Sequence, residues 1–288
     1  MPLKTSPNLP SPILRFPNRW GWGLTGGLLL GVLIGQTDPG LAQTTTRWLE
    51  IRRLGGTVQL LPSQRPAQVG DRLEKVGQGL RTGKESYSIL KIDHNIGTVN
   101  VAADTNLQLK ELSVTPNQGR ITILSVTKGL ARLKIRSFTN PESRLEIETP
   151  AGITGVRGTE FSVGVNHQGQ TVLATQEGQV AASAQGKTVL IEPGFATRIV
   201  PGEPPEDPRQ VNHDLSLQGL RVFRTSLGTV LVKGRVEPFN LVTVNGEPAT
   251  VDRSGNFQKE LPVPLSLQLT IQVQNLLDQK ANYPLLIR

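Results

Sequence analysis

The sequence predicts an all-β chain: a β-sandwich or β-roll domain, then a smaller β-sandwich, with an export segment in front. Three observations carry this. Gly and Pro number 30 and 21 of 288 residues while aromatic residues make up only 4%, a composition that favours short strands joined by turns. Turn signals recur about every 10 residues, the spacing of a sandwich or roll. Long helical periodicity is absent, and short alternating runs such as Phe161, Val163 and Val165 stand in its place.

Residues 1–19 are Pro-rich and carry Lys4, Arg15 and Arg19 without an acid. Residues 20–35 (WGWGLTGGLLLGVLIG) are apolar and Gly-rich, and Asp38-Pro39 breaks the run. Gly40-Leu41-Ala42 then supplies small residues before Gln43. This order matches a secretory signal peptide over residues 1–42, cleaved between Ala42 and Gln43. A retained single-pass anchor is the alternative, although the apolar run of about 16 residues is shorter than the roughly 20 that span a bilayer. The whole chain has a formal charge of +8; cleavage leaves 28 bases against 22 acids, or +6. Without any Cys, the chain has no disulfide, thiolate metal site, Cys nucleophile or lipid-modified N-terminal Cys.

The main β domain is expected over residues 43–200. Thr57–Leu61 reads as a strand ended by Pro62, and Val69-Gly70-Asp71 and Arg81-Thr82-Gly83-Lys84-Glu85 as turns. Leu130–Arg136 places Arg132, Lys134 and Arg136 on one face, with Leu133 and Ile135 on the other. Leu145–Glu148 has the complementary pattern, and its acids would neutralise that cationic stripe if the two strands were neighbours. The central stretch, Thr149–Val165, reads as strand, corner and strand. Pro150 ends the first strand, and Gly152, Gly155 and Gly158 recur at every third position. Arg157, held among these glycines, is expected to satisfy turn carbonyls or a nearby acid, so that Arg157→Ala lowers stability. Gln176–Gln179 reads as a hairpin connection, and Pro193-Gly194 fits the centre of a type II turn.

Residues 201–213 (PGEPPEDPRQVNH) contain four prolines and read as a semi-rigid linker. Residues 214–288 start afresh with six or seven short strands, including an Asn245-Gly246 turn suited to type I′ geometry. Their number and spacing predict a small immunoglobulin-like β-sandwich.

Residues from about 54 to 200 resemble the FecR domain family. The resemblance is carried by Gly56-Thr57-Val58, Val69-Gly70-Asp71 and Leu80-Arg81-Thr82-Gly83. It is carried above all by Thr149-Pro150 followed by Gly155-Val156-Arg157-Gly158-Thr159 and Phe161. It implies an all-β domain on the outer side of a bacterial cytoplasmic membrane, with these motif residues in a structural role. Best-known members look like anti-sigma regulators of iron-siderophore signalling with a cytoplasmic N-terminal domain. Only about 19 residues precede the apolar run here, too few for such a domain, so location and scaffold role are what the resemblance is expected to transfer. Residues 214–288 are similar, more weakly, to immunoglobulin-like modules of bacterial surface proteins.

No catalytic motif emerges. Gly83-Lys84 lacks a following Ser or Thr, and Gly186-Lys187-Thr188 lacks the first phosphate-loop glycine; both lie among strands. The glycine series at 152–158 precedes a strand, unlike a dinucleotide fingerprint. His94, His167 and His213 are scattered, without a second His at ligand spacing. Glu146 and Glu148 have a separation that a glycosidase pair could use, but nothing in the sequence indicates a cleft. The expectation is therefore a non-enzymatic protein without cofactor or metal, periplasmic or secreted. It would act as an envelope protein-interaction scaffold or sensor-like module. The alternative is a carbohydrate or peptidoglycan binder. Nucleic acid is not expected as a partner, and the membrane only through an uncleaved N-terminal segment.

Overall fold

The computed structural model describes residues 46–225, 228–277 and 279–287. The expected export segment and the Ala42–Gln43 cleavage point lie outside them. The described residues form strands and turns without a helix. In chain order the first strands are β1 (Leu49–Gly55), β2 (Val58–Leu61), β3 (Arg72–Leu73), β4 (Gly79–Thr82), β5 (Tyr87–Ile92), β6 (Gly97–Val101), β7 (Asn106–Val114) and β8 (Arg120–Ile135). There follow β9 (Arg144–Thr149), β10 (Gly152–Val156), β11 (Glu160–Val165), β12 (Thr171–Glu177), β13 (Val180–Ala184), β14 (Lys187–Ile191), β15 (Phe195–Ile199) and β16 (Arg209–Gln210). The last are β17 (Gln218–Arg224), β18 (Thr229–Arg235), β19 (Leu241–Val244), β20 (Glu247–Val251), β21 (Asn256–Pro262), β22 (Gln268–Gln274) and β23 (Lys280–Leu286).

The first body is organised around β8. Its N-terminal half pairs with β7 and, in parallel, with β9. Its C-terminal half pairs with β6 and β11. The change of layer falls at Gly129, whose φ is +95°. A Cβ there would lie 2.2 Å from Thr105 Oγ1, so only glycine fits the bend. Two layers result, in the orders β3-β1-β5-β6-β8-β11-β12-β15-β16 and β2-β4-β7-β8-β9-β10-β13-β14. Leu49, Leu90, Leu107, Leu124, Phe161 and Leu173, all fully buried, belong to the core between them.

Two local expectations meet the structure differently. Gln176–Gln179 does not close a hairpin. β12 pairs with β11 and β15, whereas β13 pairs with β10 and β14. Gly178 (φ +76°) therefore carries the chain from one layer to the other, stacked so closely on the Gly158 carbonyl that a Cβ would lie 2.6 Å from its oxygen. By contrast, Pro193-Gly194 makes a tight turn in which Phe195 N donates to Glu192 O at 3.1 Å, with Gly194 at φ +82°.

Two of the three cations of the stripe are paired from another side than the one considered, and both share one carboxylate. β9 does lie beside β8, but at Ile121–Ser125, so Glu146 stands opposite Ile123. Arg132 and Lys134 instead hold Glu160 on β11, at 3.0 and 2.7 Å. The Lys134 hydrogen bond is the largest cause of a Glu160 carboxyl held below its ordinary range. A depressed carboxyl stabilises the fold above its unfolded value, near 4.3, and the contribution disappears as pH falls. Glu160→Gln is therefore expected to flatten the acid limb of a melting-temperature profile below about pH 5; an unchanged limb would show that Glu160 does not contribute.

The second body groups β17-β18-β21 on one side and β20-β19-β22-β23 on the other. They are continuous where Thr250 and Val251 pair with Gln258 and Phe257. Asn245 (φ +50°) and Gly246 (φ +76°) form the β19–β20 turn, as type I′ geometry requires. Val232, Val244, Leu269 and Ile271 are fully buried in this body's own core.

A third apolar cluster, including Leu130, Val172, Ala196, Phe239 and Leu276, packs the second body onto the outer face of the first. This is why β11 and β12 are buried on both faces, Ser162 and Gly164 included: a strand covered twice loses the polar half of its alternation. Residues 201–213 are held at this junction. Arg209 and Gln210 pair with Ala196 and Phe195, and Arg253 reaches Glu203 and Glu206 at 2.9 and 2.6 Å. Arg198, 1% exposed, donates to the Pro238 carbonyl and lies 5.7 Å from the Phe239 ring centre.

Candidate interaction site

The stretch from Thr149 to Phe161 does two different things. Part of it is a structural knot. Thr149 Oγ1 accepts from Gly152 N and from Thr171 Oγ1 and donates to Gly152 O, at 3.2, 2.9 and 3.0 Å. Its hydroxyl thereby closes the β9–β10 turn, and Pro150 packs over the turn at Gly169. Val156 is buried at the end of β10, and the chain then crosses layers through Arg157-Gly158-Thr159. Gly158 has φ +121°, and a Cβ on it would lie 2.3 Å from Ser137 Cα. The carbonyls of Arg157 and Thr159 accept from Phe138 N and Ile135 N, at 3.3 and 2.9 Å. Phe161, fully buried, anchors the start of β11.

The other part faces solvent. Strand register aligns side chains across the outer face of β9, β10, β13 and β14. One row is Glu148, Ile153, Ser183 and Thr188; the next is Glu146, Gly155, Ala181 and Leu190. The second row has almost no side chain at its centre. Gly155 shows no positive φ, and a Cβ on it would meet nothing within 4 Å. Neither strain nor packing requires a glycine there, unlike at Gly158. Its effect is a trough of about 470 Å³ floored by Gly155 and Ala181 and bordered by Arg157, Gln179 and Leu190. Ile153 and Leu190 are 47% and 54% exposed beside it. Glu146 at its end is paired with Arg144 at 2.9 Å. The trough crosses the strands and ends at β14, the edge of its layer. Apolar side chains flanked by charges of both signs suit a protein surface better than a small ion.

Arg157 reaches a turn carbonyl, in the way expected, through a single contact. It is exposed, and its guanidinium makes one bond, 3.3 Å to the Pro141 carbonyl. A single exposed bond supplies little stability, so the corner is held by Gly158, Val156 and Phe161. Among the described residues no three His, Cys, Asp or Glu side chains gather as a metal site. His94 stands edge-on to Trp48, with ring centres 5.4 Å apart, and His167 lies in the turn after β11. Gly83-Lys84 and Gly186-Lys187 lie in or beside turns between strands. Sequence reasoning did not single out Ile153 and Leu190: their exposure follows from the pairing of β10, β13 and β14, which no local pattern announces.

Residues 78–181 match the family described as FecR protein, a span that contains the whole Thr149–Phe161 motif. No curated protein matches the chain. Among solved structures, two crystal structures of a candidate anti-sigma factor from Parabacteroides distasonis are similar at 15% identity and a TM-score of 0.33, covering 44% of this chain. The chain spans 59% of the length of that protein. A polysaccharide lyase is similar at 10% identity and a TM-score of 0.20, covering 84% of this chain and 40% of that one.

Proposed function

We propose that this chain is an exported, non-enzymatic scaffold or sensor-like protein of the bacterial envelope. Its FecR-type domain would receive a partner protein in the trough above Gly155. The observation that carries this reading is the open floor itself: a motif glycine with space above it, inside the span that matches the FecR family, with exposed Ile153 and, just beyond that span, exposed Leu190 beside it. The family match supports a sensor or regulatory type of module. The grouping β17-β18-β21 and β20-β19-β22-β23 supports an immunoglobulin-like second module, which would act as a spacer or additional contact. The short apolar run and small residues before Gln43 support export.

The reading is tested with Arg157→Ala combined with Leu190→Ser. Both sites are exposed, so each substitution should change stability by no more than about 0.5 kcal/mol, while recovery of the partner from intact envelopes falls. A large drop in melting temperature would return Arg157 to a structural role, and undiminished recovery would remove the trough from the interface.

A further inference from the structure

A second surface, independent of the trough, lies on the outer face of β17, β18, β21 and β20. Register places Arg221, Lys233, Gln258 and Thr250 in one row across the four strands. Arg221 and Lys233 are both exposed and stand directly opposite each other. Like charges so placed oppose folding. No carboxylate among the described residues lies within ion-pair distance of either. Glu260, on the same face, is engaged by Thr229 at 2.6 Å. The pair therefore gives the fold nothing that would account for it.

The surroundings indicate what it would bind. Phe223, 46% exposed, flanks Arg221 in the adjacent row. Gln258 contributes its amide and Thr250 its hydroxyl to a depression of about 460 Å³, walled at one end by His167 and Gln168 of the first body; Asp252 also lines it, its carboxylate taken up by Ser254 N and by the backbone N–H and side-chain amide of Asn256. Cations suit carboxylates, amides and a hydroxyl suit sugar hydroxyls, and an exposed ring suits the apolar face of a pyranose. Nucleic acid would call for several stacking aromatics, whereas Phe223 is the exposed aromatic here. We infer that this face binds an acidic polysaccharide, with Arg221 and Lys233 on its carboxylates and Gln258 and Thr250 on its hydroxyls. The glycan alternative raised by the sequence thereby acquires a defined place.

The test uses the intact chain with polygalacturonate, and with dextran and single-stranded DNA as controls. Polygalacturonate is expected to bind in a salt-sensitive way, and dextran not to bind. Arg221→Ser with Lys233→Ser should weaken binding by about tenfold or more. The melting temperature should hold or rise, because a repulsive pair has been removed. The double variant thus separates lost binding from lost folding. Failure to bind polygalacturonate, equal affinity in the variant, or a preference for single-stranded DNA would each overturn the inference. None of these outcomes bears on the trough.

Discussion

Gly158→Val is expected to cost the chain much of its stability. The residue sits at φ +121°, where an L side chain is strained, and its Cβ would fall 2.3 Å from Ser137 Cα. Strain of about 1–3 kcal/mol and overpacking of about 1–3 kcal/mol together predict a loss of roughly 2–6 kcal/mol. Ser137 offers backbone, so the obstacle cannot swing away. Gly155→Ala, three residues earlier in the same motif, should by contrast be close to neutral, since nothing lies within 4 Å of its Cβ position. Chemical denaturation of the two variants measures the difference. Equal losses would mean that the motif glycines share one backbone role, and that the trough is a by-product.

Asp93→Ala is expected to be comparably damaging. Asp93 accepts from Arg47 Nε and from Trp48 N, each at 2.9 Å. The Arg47 side chain is 4% exposed and also donates to the carbonyls of Ser113 and Ile121 and to Thr122 Oγ1. It thus ties the segment just before β1 to β7 and β8. Removing the carboxylate leaves a buried guanidinium without a counter-charge, which typically costs about 3–5 kcal/mol. The double variant Asp93→Ala with Arg47→Met should regain part of that loss, because the stranded charge goes with its partner. Denaturant midpoints of the single and double variants decide the matter. A mild single variant would show that solvent reaches Arg47.

These cases mark what the sequence could disclose. Local chemistry was legible wherever a residue type has one geometric use. Asn245-Gly246 and Pro193-Gly194 turn as their composition requires, and the alternation of Phe161, Val163 and Val165 places all three in the core. Pairing between distant strands was not legible. Gln176–Gln179 has the composition of a hairpin, yet its glycine is needed for a layer crossing against Gly158. Arg47 and Asp93 lie 46 residues apart, and neither has a neighbour that reveals the other. Burial of Ser162 and Gly164 depends on a second body packing over β11, which β11 itself does not encode. The candidate site divides in the same way. Its motif residues were visible as a string, but the separation into a knot at Gly158 and an open floor at Gly155 needed the backbone.

Protein docking in the trough is read out by photo-crosslinking in intact cells from a reactive residue placed at Leu190, with exposed Val76 as the control position. A discrete protein adduct is expected from position 190, absent from position 76 and abolished when Gly155→Trp fills the trough. Adducts of the same pattern from both positions, or an adduct from position 190 that survives Gly155→Trp, would contradict it.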